Sequence, residues 1–161
     1  ELLGMIPEAK SLADIEGFDF GKYPGPHITP ELMLDLSKKI NASIIEGDNT
    51  LLISLTEKSN KIVIWNEYND TGDNTDITDM FKQDIKDNNS RIYKFFFSEV
   101  KGVVSVRNYL QTSNIVWKVL YFKRLDQYEV WMNIPDHLII DLDYFHYVYK
   151  RVNGEYVLTG F

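Results

Sequence analysis

At 161 residues the chain has the length of one ordinary domain, enough to bury roughly two-thirds of its unfolded surface in a single core. Hydrophobic residues at 44% and charged residues at 25% match globular averages and exclude disorder over most of the length. The absence of cysteine removes disulfides, thiolate metal sites and a cysteine nucleophile, and a net charge of -7 disfavours nucleic acid and anionic membranes while favouring a basic protein or peptide.

No apolar run reaches the length of a membrane span; the longest, 115–122, is broken by Lys118 and reads as a strand. Glu at position 1 is consistent with a removed leader or with a start at Met5. Both a cytoplasmic and an exported setting therefore stay open.

Residues 1–29 carry Pro7, Gly17, Gly21, Pro24, Gly25 and Pro26, a composition that predicts an extended arm anchored by Phe18, Phe20 and Tyr23. Thr29, Pro30 and Glu31 read as helix N-cap, first-position proline and first-turn acid. Leu32, Leu36 and Ile40 then give one apolar face, so a helix is expected over 30–40. Alternation at 43–46, 51–56 and 61–68, punctuated by Gly47-Asp48-Asn49 and Ser59-Asn60, predicts a three-strand meander. Residues 69–76 form a polar loop. Ile77, Met80, Phe81 and Ile85 predict a second helix over 77–87, capped by Asp76 or Thr75.

The run Ile92 to Phe97 fits a buried strand or part of a helix, and its aromatic content favours the strand. Further strands are expected at 103–110, 115–123, 127–133, 144–152 and 155–160, antiparallel because the links are mostly too short for crossovers. Asn153-Gly154 between the last two is the strongest hairpin signal in the chain. The expected fold is one α+β domain: an arm over 1–29, and over 30–161 a curved, largely antiparallel, cone-like sheet of six to eight strands with two helices on one face.

The densest group of ligand-type side chains is Asp136, His137, Asp141, Asp143 and His146. Asp136 and His137 are the metal-ligand candidates, and Asp141, Asp143 and His146 the acid–base candidates. On a continuous strand Asp141 and Asp143 share a face and His146 points away, so convergence needs a bulge; otherwise the acids are simply solvated. The run 69–76 resembles a calcium loop in composition but fails the EF-hand register. His27, between two prolines, lacks a local carboxylate or serine partner. No nucleotide, dinucleotide or hydrolase fingerprint occurs, so no cofactor is expected.

Aromatics are the remaining lead. Trp65, Tyr68, Trp117, Tyr121, Tyr128, Trp131, Tyr147 and Tyr149 outnumber the places on one inner face, so some are expected at the surface. Tyr128, Glu129, Trp131, Tyr147 and Tyr149 are the expected binding residues, because Tyr and Trp beside acids give large contact area at low entropy cost. The sequence therefore reads as a non-enzymatic acidic protein-binding module of immunity or inhibitor type, facing a basic partner. The alternatives are an exported bacterial envelope or lipoprotein domain with a small-ligand pocket, and a small acid–base enzyme using Asp141, Asp143 and His146.

Overall fold

A computed structural model describes residues 30–65, 74–99, 105–111, 114–122, 125–133 and 144–161. Its elements are α1 (Pro30–Glu46), α2 (Thr50–Glu57), β1 (Val63–Trp65), β2 (Asn74–Asp76), α3 (Thr78–Asp84), α4 (Arg91–Phe97), α5 (Val106–Leu110), β3 (Val116–Phe122), β4 (Gln127–Asn133), β5 (Tyr144–Val152) and β6 (Glu155–Gly160). This is an α+β fold with one open, mixed sheet in the order β2-β1-β6-β5-β4-β3. No helix among the described residues is long and apolar enough to cross a membrane.

The sequence expectation is met most closely in β3 to β6, which pair antiparallel in succession. Asn153 and Gly154 take φ of +52° and +83°, both central residues left-handed as a type I′ turn demands. Among the described residues the one parallel contact is Val63 of β1 beside Gly160 of β6. Gly160 lets the strands approach closely there: a Cβ would lie 3.1 Å from the Val148 Cβ and 3.3 Å from a Val63 methyl, so a neighbour would have to shift by a few tenths of an ångström, at the irregularity where β5 and β6 shift register.

Among the described residues five helices replace the two expected. The strand predicted at 43–46 is the last turn of α1, whose inward stripe of Met33, Ser37, Ile40, Asn41 and Ile44 keeps helical period past residue 40. Gly47, read as a strand turn, ends that helix. At φ +78° it donates its N–H to the Ile44 carbonyl while Asp48 donates to Ser43, the paired bonds of a Schellman stop. The strand predicted at 51–56 lies within α2, opened by Asp48 accepting the Thr50 N–H at 3.0 Å. Its end is closed by Lys82, which donates to the Glu57 and Ser59 carbonyls.

The strand predicted at 92–97 and the described part of that predicted at 103–110 are also helical. Ser90 and Ser105 sit in extended backbone and accept the N–H three residues on, from Tyr93 at 3.0 Å and Asn108 at 3.2 Å. Those caps start α4 and α5, and Ile92 and Phe96, then Val106 with Tyr109 and Leu110, turn inward at helical spacing. The second predicted helix is shorter than 77–87. Its expected cap Asp76 precedes the Ile77 cap position and accepts both the N–H and the hydroxyl of Thr78.

Register decides which side chains share a face. Trp117, Met132 and Phe145 lie abreast, as do Val119, Val130 and Tyr147, and Tyr121, Tyr128 and Tyr149. This face meets the helices: Ser37 and Asn41 of α1 bond Tyr149 and Tyr147, Lys38 lies over Trp117, and Phe96 of α4 meets Phe145 edge-on. Phe161 closes the core, stacked on Phe81 at 5.3 Å and edge-on to Phe96 at 5.0 Å.

Candidate functional site

The alternation that turns Tyr128, Val130 and Met132 toward the helices turns Gln127, Glu129 and Trp131 to the opposite face of β4. There the three side chains stand in a row. Gln127 Nε2 donates to one Glu129 carboxyl oxygen at 3.1 Å and Trp131 Nε1 to the other at 3.3 Å, so the carboxyl is clamped from both sides. Directly across from Trp131 on β5 is His146, with ring centroids 5.3 Å apart. Leu120, Val148 and Val157 occupy neighbouring positions on this face and are buried.

Glu129 is 5% exposed and His146 2%. Burial pushes the Glu129 carboxyl above its usual range, against the opposing pull of the two N–H donors. Burial also depresses His146, to about 4, despite a contact with the Phe161 backbone that favours the proton. At neutral pH a neutral imidazole and a carboxyl that ionises reluctantly therefore both lie against Trp131. Such a pair can accept or hold a proton and can hydrogen-bond a polar group in an apolar setting. Among the described residues no three His, Asp or Glu groups come together as a metal site, and Glu129 and His146 alone are too few ligands for one.

Of the residues expected to bind a partner, Glu129 and Trp131 fall in this row, with His146 from the acid–base set. Tyr128, Tyr147 and Tyr149 do not. They are 1% exposed or less and face the helices, which corrects the expectation that they reach the surface. The reason is satisfaction of their polar tips inside. Tyr147 donates to Asn41 Oδ1 at 2.6 Å and Tyr149 shares a 2.8 Å bond with Ser37, so both phenols are buried at little cost and held neutral by raised pKa values. Glu129 and half-buried Trp131 are likewise not an open face. Asp136, His137, Asp141 and Asp143, with His27 and the polar run 69–73, lie outside the described residues.

A second polar cluster escaped the sequence reading. Asp126, in left-handed backbone at φ +47° between β3 and β4, accepts the Tyr121 and Tyr156 hydroxyls on one oxygen, each at 2.9 Å. Its other oxygen lies 3.2 Å from Arg151 Nε, and the guanidinium also sits over the Tyr156 ring. The φ above zero is tolerable for Asp, and every carboxylate oxygen is occupied, so this cluster fastens the β3–β4 turn to the β5–β6 hairpin. Gln127 was legible in principle, since it stands two residues from Glu129 on an alternating strand. Asp126 was not, because its partners meet only once β5 and β6 are in register. No protein-family model, curated protein or solved structure matches the chain.

Proposed function

We propose that the chain is an acidic protein-binding module that captures a basic protein or peptide. The observation that supports this reading is where the charge lies. Among the described residues 13 Asp and Glu are offset by 12 Lys and Arg, whereas residues 1–29, 66–73 and 134–143 together carry 11 Asp and Glu and two Lys. Those three stretches thus carry a charge of -9, and the rest of the chain carries +2. Charge concentrated in this way raises the association rate with an oppositely charged partner and makes binding weaken with salt. The acid–base alternative rests on Asp141, Asp143 and His146, of which His146 is buried beside Trp131.

The test is capture from native lysate at low and high salt, followed by reconstitution with the purified protein retained. Two triple variants with the same change in net charge are then compared. D136N/D141N/D143N removes acids from the 134–143 stretch, and D35N/E46Q/E57Q removes exposed acids from α1 and α2. A basic protein held at low salt, released by high salt, and bound about tenfold more weakly by the first triple alone is the expected result. Equal loss in both triples, or no basic protein retained, overturns the reading.

A further inference from the structure

Asn153-Gly154 is the only Asn-Gly pair in the chain. It forms the two-residue loop between β5 and β6, where Val152 opposite Glu155 closes the ladder. Asn153, Gly154 and Glu155 are exposed. The Asn153 side-chain carbonyl carbon and the Gly154 backbone nitrogen are the two atoms whose joining closes a five-membered ring, so the loop holds an electrophile beside a nucleophile. Ring closure needs that nitrogen to eclipse the Asn153 Cβ about the Cα–C bond. For an L-residue this puts ψ at about −120°, the value at the first central position of a type II′ turn.

The loop itself is of type I′, with φ of +52° at Asn153 and +83° at Gly154. Types I′ and II′ share a φ of about +60° at the first position and differ by rotation of the single peptide between the two central residues, which carries the second φ to about −80°. Glycine accepts both signs of φ, and both turns suit the twist of paired strands, so the flip leaves the ladder in place. There is room for it. Among the described residues nothing beyond the chain neighbours lies within 4 Å of where a Cβ would stand on Gly154. Other asparagines lack this combination. Asn41 and Asn108 lie within helices, with ψ far from the reactive value. Asn89 is exposed, but the nitrogen that follows it, on Ser90, donates to the Asp87 carbonyl at 3.0 Å.

We propose that Asn153 is a site of spontaneous self-modification, converted to aspartate and isoaspartate through a peptide flip within the folded hairpin. The Gly154 nitrogen gives its proton to solvent and attacks Asn153 Cγ. A Cγ–N bond forms, the Cγ–Nδ2 bond breaks, and ammonia leaves after taking a proton from solvent. Water then opens the resulting succinimide. Breaking the new Cγ–N bond gives aspartate, and breaking the original peptide bond gives isoaspartate, whose chain continues through the side-chain carbonyl. Either product adds a carboxylate two residues from Glu155, which is itself paired with Lys58 at 2.7 Å. Aspartate keeps the backbone and tolerates φ above zero. Isoaspartate adds a methylene to a loop whose length fixes the strand register, so it loosens the hairpin. A ψ of this kind at positive φ is strained for a residue with a Cβ, which slows the folded chain by roughly tenfold relative to an unstructured peptide.

The full chain and a synthetic peptide of residues 150–157 are incubated side by side at neutral and mildly alkaline pH, without urea and with urea below the unfolding transition. Peptide mapping with fragmentation that separates aspartate from isoaspartate follows every asparagine. Asn153 is expected to convert first, to both products, faster at the higher pH, and at a rate that low urea leaves unchanged. The isolated isoaspartate form is expected to unfold at lower denaturant than N153D, which carries the same charge on an ordinary backbone. An Asn153 still intact when the peptide is fully converted overturns the proposal, as does another asparagine that converts sooner. A rate that rises with urea in step with the unfolded fraction overturns it too, because the reaction would then belong to the unfolded chain.

Discussion

His146 shows what burial does to a single side chain. With its folded pKa near 4 and an unfolded value of 6.5, the unfolded chain binds the proton first as pH falls. Its contribution to stability is therefore fully present above pH 6.5 and is lost progressively as pH falls toward 4. At about 1.4 kcal/mol per unit, crossing the window removes roughly 3 kcal/mol. Glu129 acts with the opposite sign: its folded pKa is raised, so stability declines as pH rises from 4.5 through that folded value. The two titrations overlap, and a variant is needed to separate them. Urea unfolding of the wild type is expected to weaken between pH 7 and pH 4.5, and H146F should lose most of that difference whatever its absolute stability. An unchanged pH dependence in H146F would show that His146 is not held neutral.

At the scale of elements, the short helices depend on local chemistry more than on their apolar content. Seven residues in α4 are too few to be stable alone. The Ser90 hydroxyl supplies an acceptor for the Tyr93 N–H, and that hydroxyl also donates to the Asp84 carbonyl, tying α4 to the end of α3. S90A removes both bonds and is expected to cost about 1–2 kcal/mol in denaturant unfolding. S90D keeps an acceptor for the cap and should recover part of the loss, whereas equal stability of all three would show that the cap contributes nothing.

Those same caps explain what was legible in the sequence. The four C-terminal strands alternate over seven or more residues or flank Asn153-Gly154, and both signals survive any tertiary context. In α2, α4 and α5 the apolar runs are too short for period to discriminate. Alternation at 51–56 and aromatic content at 92–97 then pointed to strands, while the single Ser or Asp that opens each helix was outweighed. The candidate site was half legible for a related reason. Period two shows that Tyr147 and Tyr149 share a face and that Glu129 and Trp131 share another, but which face meets helices depends on α1. Its Ser37 and Asn41 prove to be the partners of those tyrosines.

Across the described residues the core is one continuous cluster to which α1 to α5 and β3 to β6 all contribute, and Phe161 is placed where α3, α4 and β5 meet. Its ring touches Phe81 of α3, Phe96 of α4, and Phe145 and Tyr147 of β5, all within 6.4 Å between centroids. Its N–H donates to the Val63 carbonyl at 3.0 Å, extending the parallel contact between β1 and β6 by one residue. Removing the ring therefore opens a cavity that two helices and the sheet border at once, and no single element can move in to fill it without breaking other contacts. F161A is expected to lose about 3–5 kcal/mol, the range for a fully buried Phe whose site cannot collapse. Because helices and sheet share the lost contacts, far-UV circular dichroism and tryptophan fluorescence should still report coincident unfolding transitions, both shifted to lower denaturant. Separation of the two transitions, with fluorescence unshifted, would mean that the helices and the sheet are stabilised independently and that Phe161 serves only one of them.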